Sequence, residues 1–280
     1  MKKLSLILAV LLFVGMFAGC GTTNAKYAVG VQNGTTGNYY VAGDEDWGFE
    51  GFANLEVKGY SNAGLATQDM LNGKLNAVVV DEGPAKAIAK AMNGKVKVIE
   101  IPLTEEEYAF GIDKANPDLE AKVNAFIAEA TQNGTIEQIM DQYFNGDTSA
   151  VEGVASAKLD TAKADEQLVV ATNAAFAPFE YTVGDKFAGV DMEIAAKLAE
   201  YLGMELVIVN MDFDAVVTSV GKNGIDIAMA GLTVNETRKK SVNFSTSYYN
   251  ASQMLIVKAD DTTFDACKTA EEVEAILKAK

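Results

Sequence analysis

The chain contains no histidine, two cysteines and one arginine in 280 residues. Each shortage removes a class of chemistry. Without imidazole there is no triad or general base built on histidine. Cys20 and Cys267 lie far apart in sequence, so with no histidine the usual zinc and copper ligand sets are missing, and no cofactor is expected. Beyond residues 4–18 no run is apolar enough to cross a membrane. Cations are also scarce: 23 Lys and Arg stand against 39 Asp and Glu, a formal charge of −16, which argues against a nucleic-acid partner. Every cationic side chain except Arg238 is a lysine.

What is present begins with Lys2 and Lys3 ahead of the apolar run LSLILAVLLFVGMFA, the pattern of a secretory signal. The run is short for an uncleaved membrane helix. It ends in F-A-G-C, which resembles a lipobox although Phe17 stands where leucine is usual. Residues 1–19 are therefore expected to be a lipoprotein signal peptide, Cys20 the lipidated residue and 20–26 a tether. Loss of Lys2 and Lys3 takes the charge from −16 to −18. Lipidation of Cys20 would leave Cys267 without a partner for an internal disulfide. With 49% apolar residues the remainder is globular and long enough for two lobes of about 100 to 130 residues each.

Strand and helix signals alternate along the chain. YAVGVQ (27–32) is a strand, NGTTG (33–37) a loop and NYYVAG a helix start; NLEVKGY (54–60) and NAVVVD (76–81) are strands around a helix ending at Gly73. EGPAKAIAKAMNG is helical, and KVKVIEIP and EEYAFGID are strands. Asn116 and Pro117 open a helix whose stripe is Leu119, Val123, Phe126, Ile127 and Ala130. Thr135 and Gln138 have the spacing of a capping box for a last helix. TSAVEGVASAKLDTAKADEQ (148–167), poor in large apolar residues, reads as a flexible connection. A second series follows: strand LVVATN, the loop and turn FAPFEYTVGDKFAG, helix VDMEIAAKLAEYLG, strand ELVIVNMDF, helix AVVTSVGKNG and strand IDIAMAGL. Strand ASQMLIVKA and a helix capped by Thr269 end the chain. Such alternation predicts an α/β fold of mainly parallel sheets, with ligands at the carboxyl ends of the strands.

Local reading leaves most candidate site residues open. In AGLTVNETRKK (230–240) Asn235 caps a short helix with Arg238 at its third residue, where a cation opposes the helix dipole and a bound carboxylate would compensate. By default such an arginine is a solvated surface residue. The Thr35/Thr36 loop can surround an anion but lacks the lysine and spacing of a nucleotide loop. Asp81 can receive an ammonium group or cap the helix that follows it. Phe176, Phe179 and Phe213 lie just past strand ends, where core packing is the default role. The acidic runs 44–46 and 105–107 read as solvated surface.

Taken together, VVATNAAFAPFEY, GVDMEIAAKLAEYLG, MDFDAVVTSVGKNGIDIAMAGLTVNETRKKSVNFSTSYY, and VGVQNGTTG with VVVDEGPAKA resemble the extracellular amino-acid-binding lipoproteins of ABC importers, solute-binding protein family 3. The resemblance covers nearly all of the exported chain, but in a changed order: in the family the ATNAAFAPFEY block comes first. Joining Lys280 to Lys26 restores that order, so the chain resembles a circular permutant, with 148–167 bridging the former ends over roughly 25 Å. The implied fold is a two-lobe Venus-flytrap of the type II periplasmic-binding-protein class with two hinge strands. One lobe would comprise 27–101 plus 258–280 and the other 102–257, with crossings near IEIPLT and MLIVKAD.

By position the resemblance implies that Arg238, Thr233, Thr35 and Thr36 hold a ligand carboxylate, and that Asp81 and the Gly231 carbonyl take its ammonium. Phe176, Phe213, Asn173 and Gln32 would contact its side chain. Asn173 stands where several members carry an acid, which favours a neutral or polar L-amino acid. The expected protein is a monomeric, non-enzymatic receptor on the outer face of a bacterial membrane, held there only by lipid and serving an ABC permease. The alternatives are a sensory or orphan binding lipoprotein without a permease, and a dehydratase or lyase on the same fold.

Overall fold

The computed structural model describes residues 26–280; the expected signal peptide and Cys20 lie outside the described residues. The chain runs through β1 (Ala28–Gln32), α1 (Thr36–Ala42), β2 (Glu56–Tyr60), α2 (Ala63–Leu71), β3 (Ala77–Asp81), α3 (Glu82–Ala91) and β4 (Val96–Ile99). It leaves this lobe through β5 (Glu106–Tyr108) and builds β6 (Gly111–Ile112), α4 (Pro117–Gln132) and α5 (Thr135–Phe144). Next come β7 (Gln167–Thr172), β8 (Ala175–Phe176), β9 (Glu180–Val183), β10 (Lys186–Ala188), α6 (Val190–Leu202) and β11 (Glu205–Asn210). The second lobe closes with α7 (Phe213–Ser219), β12 (Ile227–Ala228), α8 (Glu236–Lys239) and β13 (Asn243–Phe244). The return passes through β14 (Tyr249–Ala251) into β15 (Gln253–Lys258) and α9 (Ala270–Lys278).

Each lobe is organised on a five-stranded sheet, β2-β1-β3-β15-β4 in the first and β11-β7-β12-β6-β13 in the second. Both are mixed. β1 pairs parallel with β2 and β3, whereas β15 runs antiparallel to β3 and β4. Period-two alternation assigns each strand residue to a face. Val78, Val80, Met254 and Ile256 pack with α2 residues Ala63, Ala66 and Met70, while Val79, Leu255 and Val257 pack with Tyr40, Val273 and Leu277. The second sheet divides the same way, Leu168 and Val170 lying with Val123, Ile127 and Leu198, and Val169 and Ala171 with Val216 and Leu232.

Four further sequence expectations change. The second lobe crossing is at 249–252, because the apolar run of β15 is already sandwiched between β3 and β4; MLIVKAD is core sheet and not hinge. The crossings instead pair with each other, β14 antiparallel to β5 with Tyr249 opposite Tyr108 and Ala251 opposite Glu106. FAPFEYTVGDKFAG is not only loop and turn: β8, β9 and β10 form a small antiparallel sheet. Thr135 makes no capping box, since α5 starts from Gly134 without a side-chain cap. Finally, 148–167 does not run free. Val154 and Phe187 exchange backbone hydrogen bonds, Ala157 N–H donates to the Leu206 carbonyl (2.9 Å), and Ile208 N–H donates to Ser156 Oγ (2.8 Å). Gln167, the expected last linker residue, is the first residue of β7. The segment takes up edge donors and acceptors of β10 and β11 that would otherwise face water or another chain.

Ile256 is fully buried on β15, an interior strand of the first sheet. Ile256→Ala should lower stability by about 2–5 kcal/mol in urea unfolding; a loss below about 1 kcal/mol would show that this strand does not anchor the lobe.

Candidate functional site

The carboxyl ends of β1, β3, β7 and β12, together with both crossings, bring the candidate residues to one boundary between the lobes. Asn235 caps α8 by accepting from Arg238 N–H (2.8 Å), which fixes Arg238 at the third helical residue as expected. Arg238 is not a solvated surface residue: it is only 7% exposed. Its Nη1 donates to the Thr233 carbonyl (2.9 Å) and its Nη2 crosses the boundary to the Gly34 carbonyl (3.2 Å). Burial lowers its pKa to about 10, so it stays cationic at neutral pH. Among the described residues no carboxylate forms an ion pair with it.

The other candidates meet across the same boundary. Thr36 Oγ1 donates to Thr233 Oγ1 (3.1 Å), and Gln32 Nε2 donates to Asn173 Oδ1 (3.1 Å). Asn173 also donates to the Met211 carbonyl (2.7 Å), whereas Gln32 Oε1 is buried without a partner. Thr35 faces inward less directly; it caps α1 and donates to the Gln32 carbonyl (2.8 Å). Phe213 lies with its ring 5.3 Å from the Arg238 guanidinium carbon. Phe176 is buried against Gly231, where a Cβ would come within 2.9 Å of the ring, so residue 231 must be glycine both for space and for its φ of +54°.

Asp81 stands at the N-terminus of α3 but makes no side-chain cap; its carboxylate accepts from the Tyr108 hydroxyl (2.5 Å). The helix-capping role left open by sequence is therefore not taken up. Burial, with Glu106 adding repulsion, pushes its pKa up to about 7. Asp191 fixes the Gly231 peptide by accepting from its N–H (2.9 Å), and burial raises that carboxyl to about 6.

Two residues escaped sequence reasoning. Glu106 was expected on the solvated surface but is buried, accepting from Thr104 (2.6 Å), Thr233 (2.6 Å) and Gln253 (3.0 Å). The signal was available: in a strand EEEY, Glu106 and Tyr108 share the face opposite Glu105 and Glu107. Trp47 is the other, with its ring 5.0 Å from the Arg238 guanidinium carbon. It sits on a connection between α1 and β2 whose target no periodicity reveals. A site of this kind, with one buried cation, buried carboxylates a short way off and aromatic walls, suits a small zwitterion.

Residues 168–279 match the model of the bacterial extracellular solute-binding proteins, family 3. The chain is similar to the arginine-binding extracellular protein ArtP of Bacillus subtilis (strain 168), 34% identical over 113 residues, 40% of this chain and 44% of that protein. It is also similar to cyclohexadienyl dehydratase of Pseudomonas aeruginosa, 35% identical over 92 residues, 32% of this chain and 34% of the enzyme. A solved ancestral arginine-binding protein bound to arginine shares 36% identity over 30% of this chain and 38% of its own, with a TM-score of 0.29. The chain thus spans less than half the length of these relatives.

The raised Asp81 pKa has a definite sign. Between the ordinary carboxylate value of about 4 and about 7, the folded protein holds a proton that the unfolded chain releases, so the stability it contributes is full below about pH 4 and lost as pH rises through 7. Asp81→Asn should therefore match wild type most nearly in thermal melting at pH 4, gain on it progressively up to about pH 7 and hold a constant difference above that. A difference that does not vary with pH would overturn this assignment.

Proposed function

We propose, from the match of residues 168–279 to the bacterial extracellular solute-binding proteins, family 3, that the chain belongs to that family and is an extracytoplasmic receptor that captures an L-amino acid for an ABC importer. The observation that carries the reading is Arg238, buried at the lobe boundary and bonded to carbonyls of both lobes. Its guanidinium has five N–H donors, and those not given to Thr233 and Gly34 suit a carboxylate held with Thr233, Thr35 and Thr36. Asp81, with the Gly231 carbonyl, takes the ammonium; Phe176 and Phe213 flank the side chain and Asn173 and Gln32 contact its end.

The uncharged pair Gln32–Asn173 favours a neutral or polar side chain. A second reading, a cationic amino acid, is favoured by the two buried carboxylates Asp81 and Glu106, which outnumber Arg238; arginine is also what ArtP is named for. A dehydratase or lyase needs an acid or base besides Asp81, and Glu106 is already engaged by three donors. We propose further that Cys20 carries a lipid anchor on the outer face of the membrane, that the receptor is a monomer docking on a permease, and that its element order is circularly permuted. In support of the permutation, Lys280 Nζ lies 5.2 Å from the Tyr27 ring, and the family match runs from the first residues of β7 into α9. A sensory role without a permease uses the same site.

A thermal-shift screen of the common L-amino acids and L-cystine should find one that raises the melting temperature, and calorimetry should then show Arg238→Ala binding it at least ~100-fold more weakly. Unchanged affinity would remove Arg238 from the site. Affinity should also fall as pH drops below 7, because the ammonium needs an ionised Asp81. A chain with residue 280 linked to residue 26 and opened within 148–167 should fold and bind the same amino acid; failure to fold would count against the permutation.

A further inference from the structure

Between α1 and β2 the chain makes an excursion, residues 43–55, that projects from the first lobe and touches the second. Its root is fixed. Phe52 and Leu55 are buried in the first core, Phe49 and Phe52 pack edge-on against Tyr40 with centroids 5.6 and 5.5 Å away, and Phe52 N–H donates to the Val41 carbonyl (3.0 Å). Its tip is a single helical turn, Glu45–Trp47, capped by Asp44 accepting from Trp47 N–H (3.2 Å) and closed by Gly48 in the left-handed region at φ +77°.

At that tip Trp47 stacks on Tyr39, centroids 4.3 Å apart and planes 24° apart. Trp47 also lies 5.0 Å from the guanidinium carbon of Arg238, which belongs to the other lobe, while Phe213 lies 5.3 Å from the same carbon. One residue before Trp47, Asp46 pairs with Lys240 at 3.4 Å, two residues beyond Arg238. Thus the first lobe supplies one aromatic ring and the second lobe the other. Aromatic faces attract the cation without offering an in-plane acceptor, so they hold it while leaving its N–H edge to carbonyls or to an anion.

We infer that Trp47 is a positioning residue for the ligand carboxylate: it sets the Arg238 guanidinium from the opposite lobe, and because it reaches Arg238 only across the closed boundary, it acts as a clasp that slows ligand escape. This rests on the receptor reading for its ligand, but not for its geometry. The contact is made after encounter, so its loss should appear in dissociation and leave association nearly unchanged.

Trp47 is the single tryptophan of the chain, which makes it its own reporter. The common L-amino acids and L-cystine are titrated individually, following tryptophan emission and acrylamide quenching alongside thermal melting. An amino acid that raises the melting temperature should shift the emission saturably and lower quenching over the same concentrations. A thermal shift with no tryptophan response would overturn the clasp while sparing the receptor reading.

With that amino acid, surface-immobilised Trp47→Ala protein should release it about tenfold faster with little change in association, and Trp47→Phe should recover most of the loss. Equal slowing of association, or no rescue by phenylalanine, would make the role merely structural. If no amino acid shifts the melting, the receptor reading fails, and the clasp is then decided without ligand. Quenching of Trp47 should rise several-fold in Arg238→Ala if the two groups meet, and an unchanged value would overturn the contact.

Discussion

A guanidinium removed from water without a carboxylate beside it is the constraint on which this molecule turns. Desolvating such a cation costs several kcal/mol even after relaxation. The second lobe alone offers Arg238 one carbonyl and one aromatic face; the first lobe adds the Gly34 carbonyl and the Trp47 face. Partners for the charge are therefore complete only when the lobes meet. In the proposed receptor, an anion that accepts from the remaining donors would favour the same arrangement, so that binding and lobe closure would be one equilibrium.

The two crossings are tied to this boundary by hydrogen bonds rather than by packing alone. Glu106 on β5 accepts from Thr233 in the cleft, from Thr104 on the outgoing crossing and from Gln253 at the start of β15. Thr233 in turn receives Thr36 from the opposite lobe. A chain of polar contacts therefore runs from the NGTTG loop to both crossings, in a setting where each unmet donor or acceptor is expensive. Asp81 belongs to the same neighbourhood through Tyr108, and its pKa is raised first by loss of water around it and then by the Glu106 charge.

Much of this was legible in the sequence, because it follows from local rules. Asn116, Asn235 and Thr269 cap the helices where their spacing places them. The sandwiched strands β3 and β15 read as continuous apolar runs. Arg238 was nameable, but only the resemblance to a family distinguished it from a surface arginine; nothing local in N-E-T-R-K-K says that the residue is buried. Illegible features depend on what lies across a gap. Trp47 acquires its role from a residue 191 positions away on another lobe, and 148–167 is ordered by the free edges of β10 and β11, which no property of its own small side chains announces.

Those free edges bear on the proposed reordering of the chain. The two sheets are held by contacts between strands, and β15 lies between β3 and β4 whatever order the connections take. Joining old ends and opening new ones changes mainly loop-closure entropy, which varies only slowly with loop length. A joining segment that lies along β10 and β11 does more than bridge: it covers strand edges that would otherwise pair with another chain. Selection on such a segment would act on its backbone geometry and on small, polar side chains such as Ser156, whose hydroxyl oxygen accepts from Ile208. That explains how a stretch can look compositionally like a tether and still be part of the lobe.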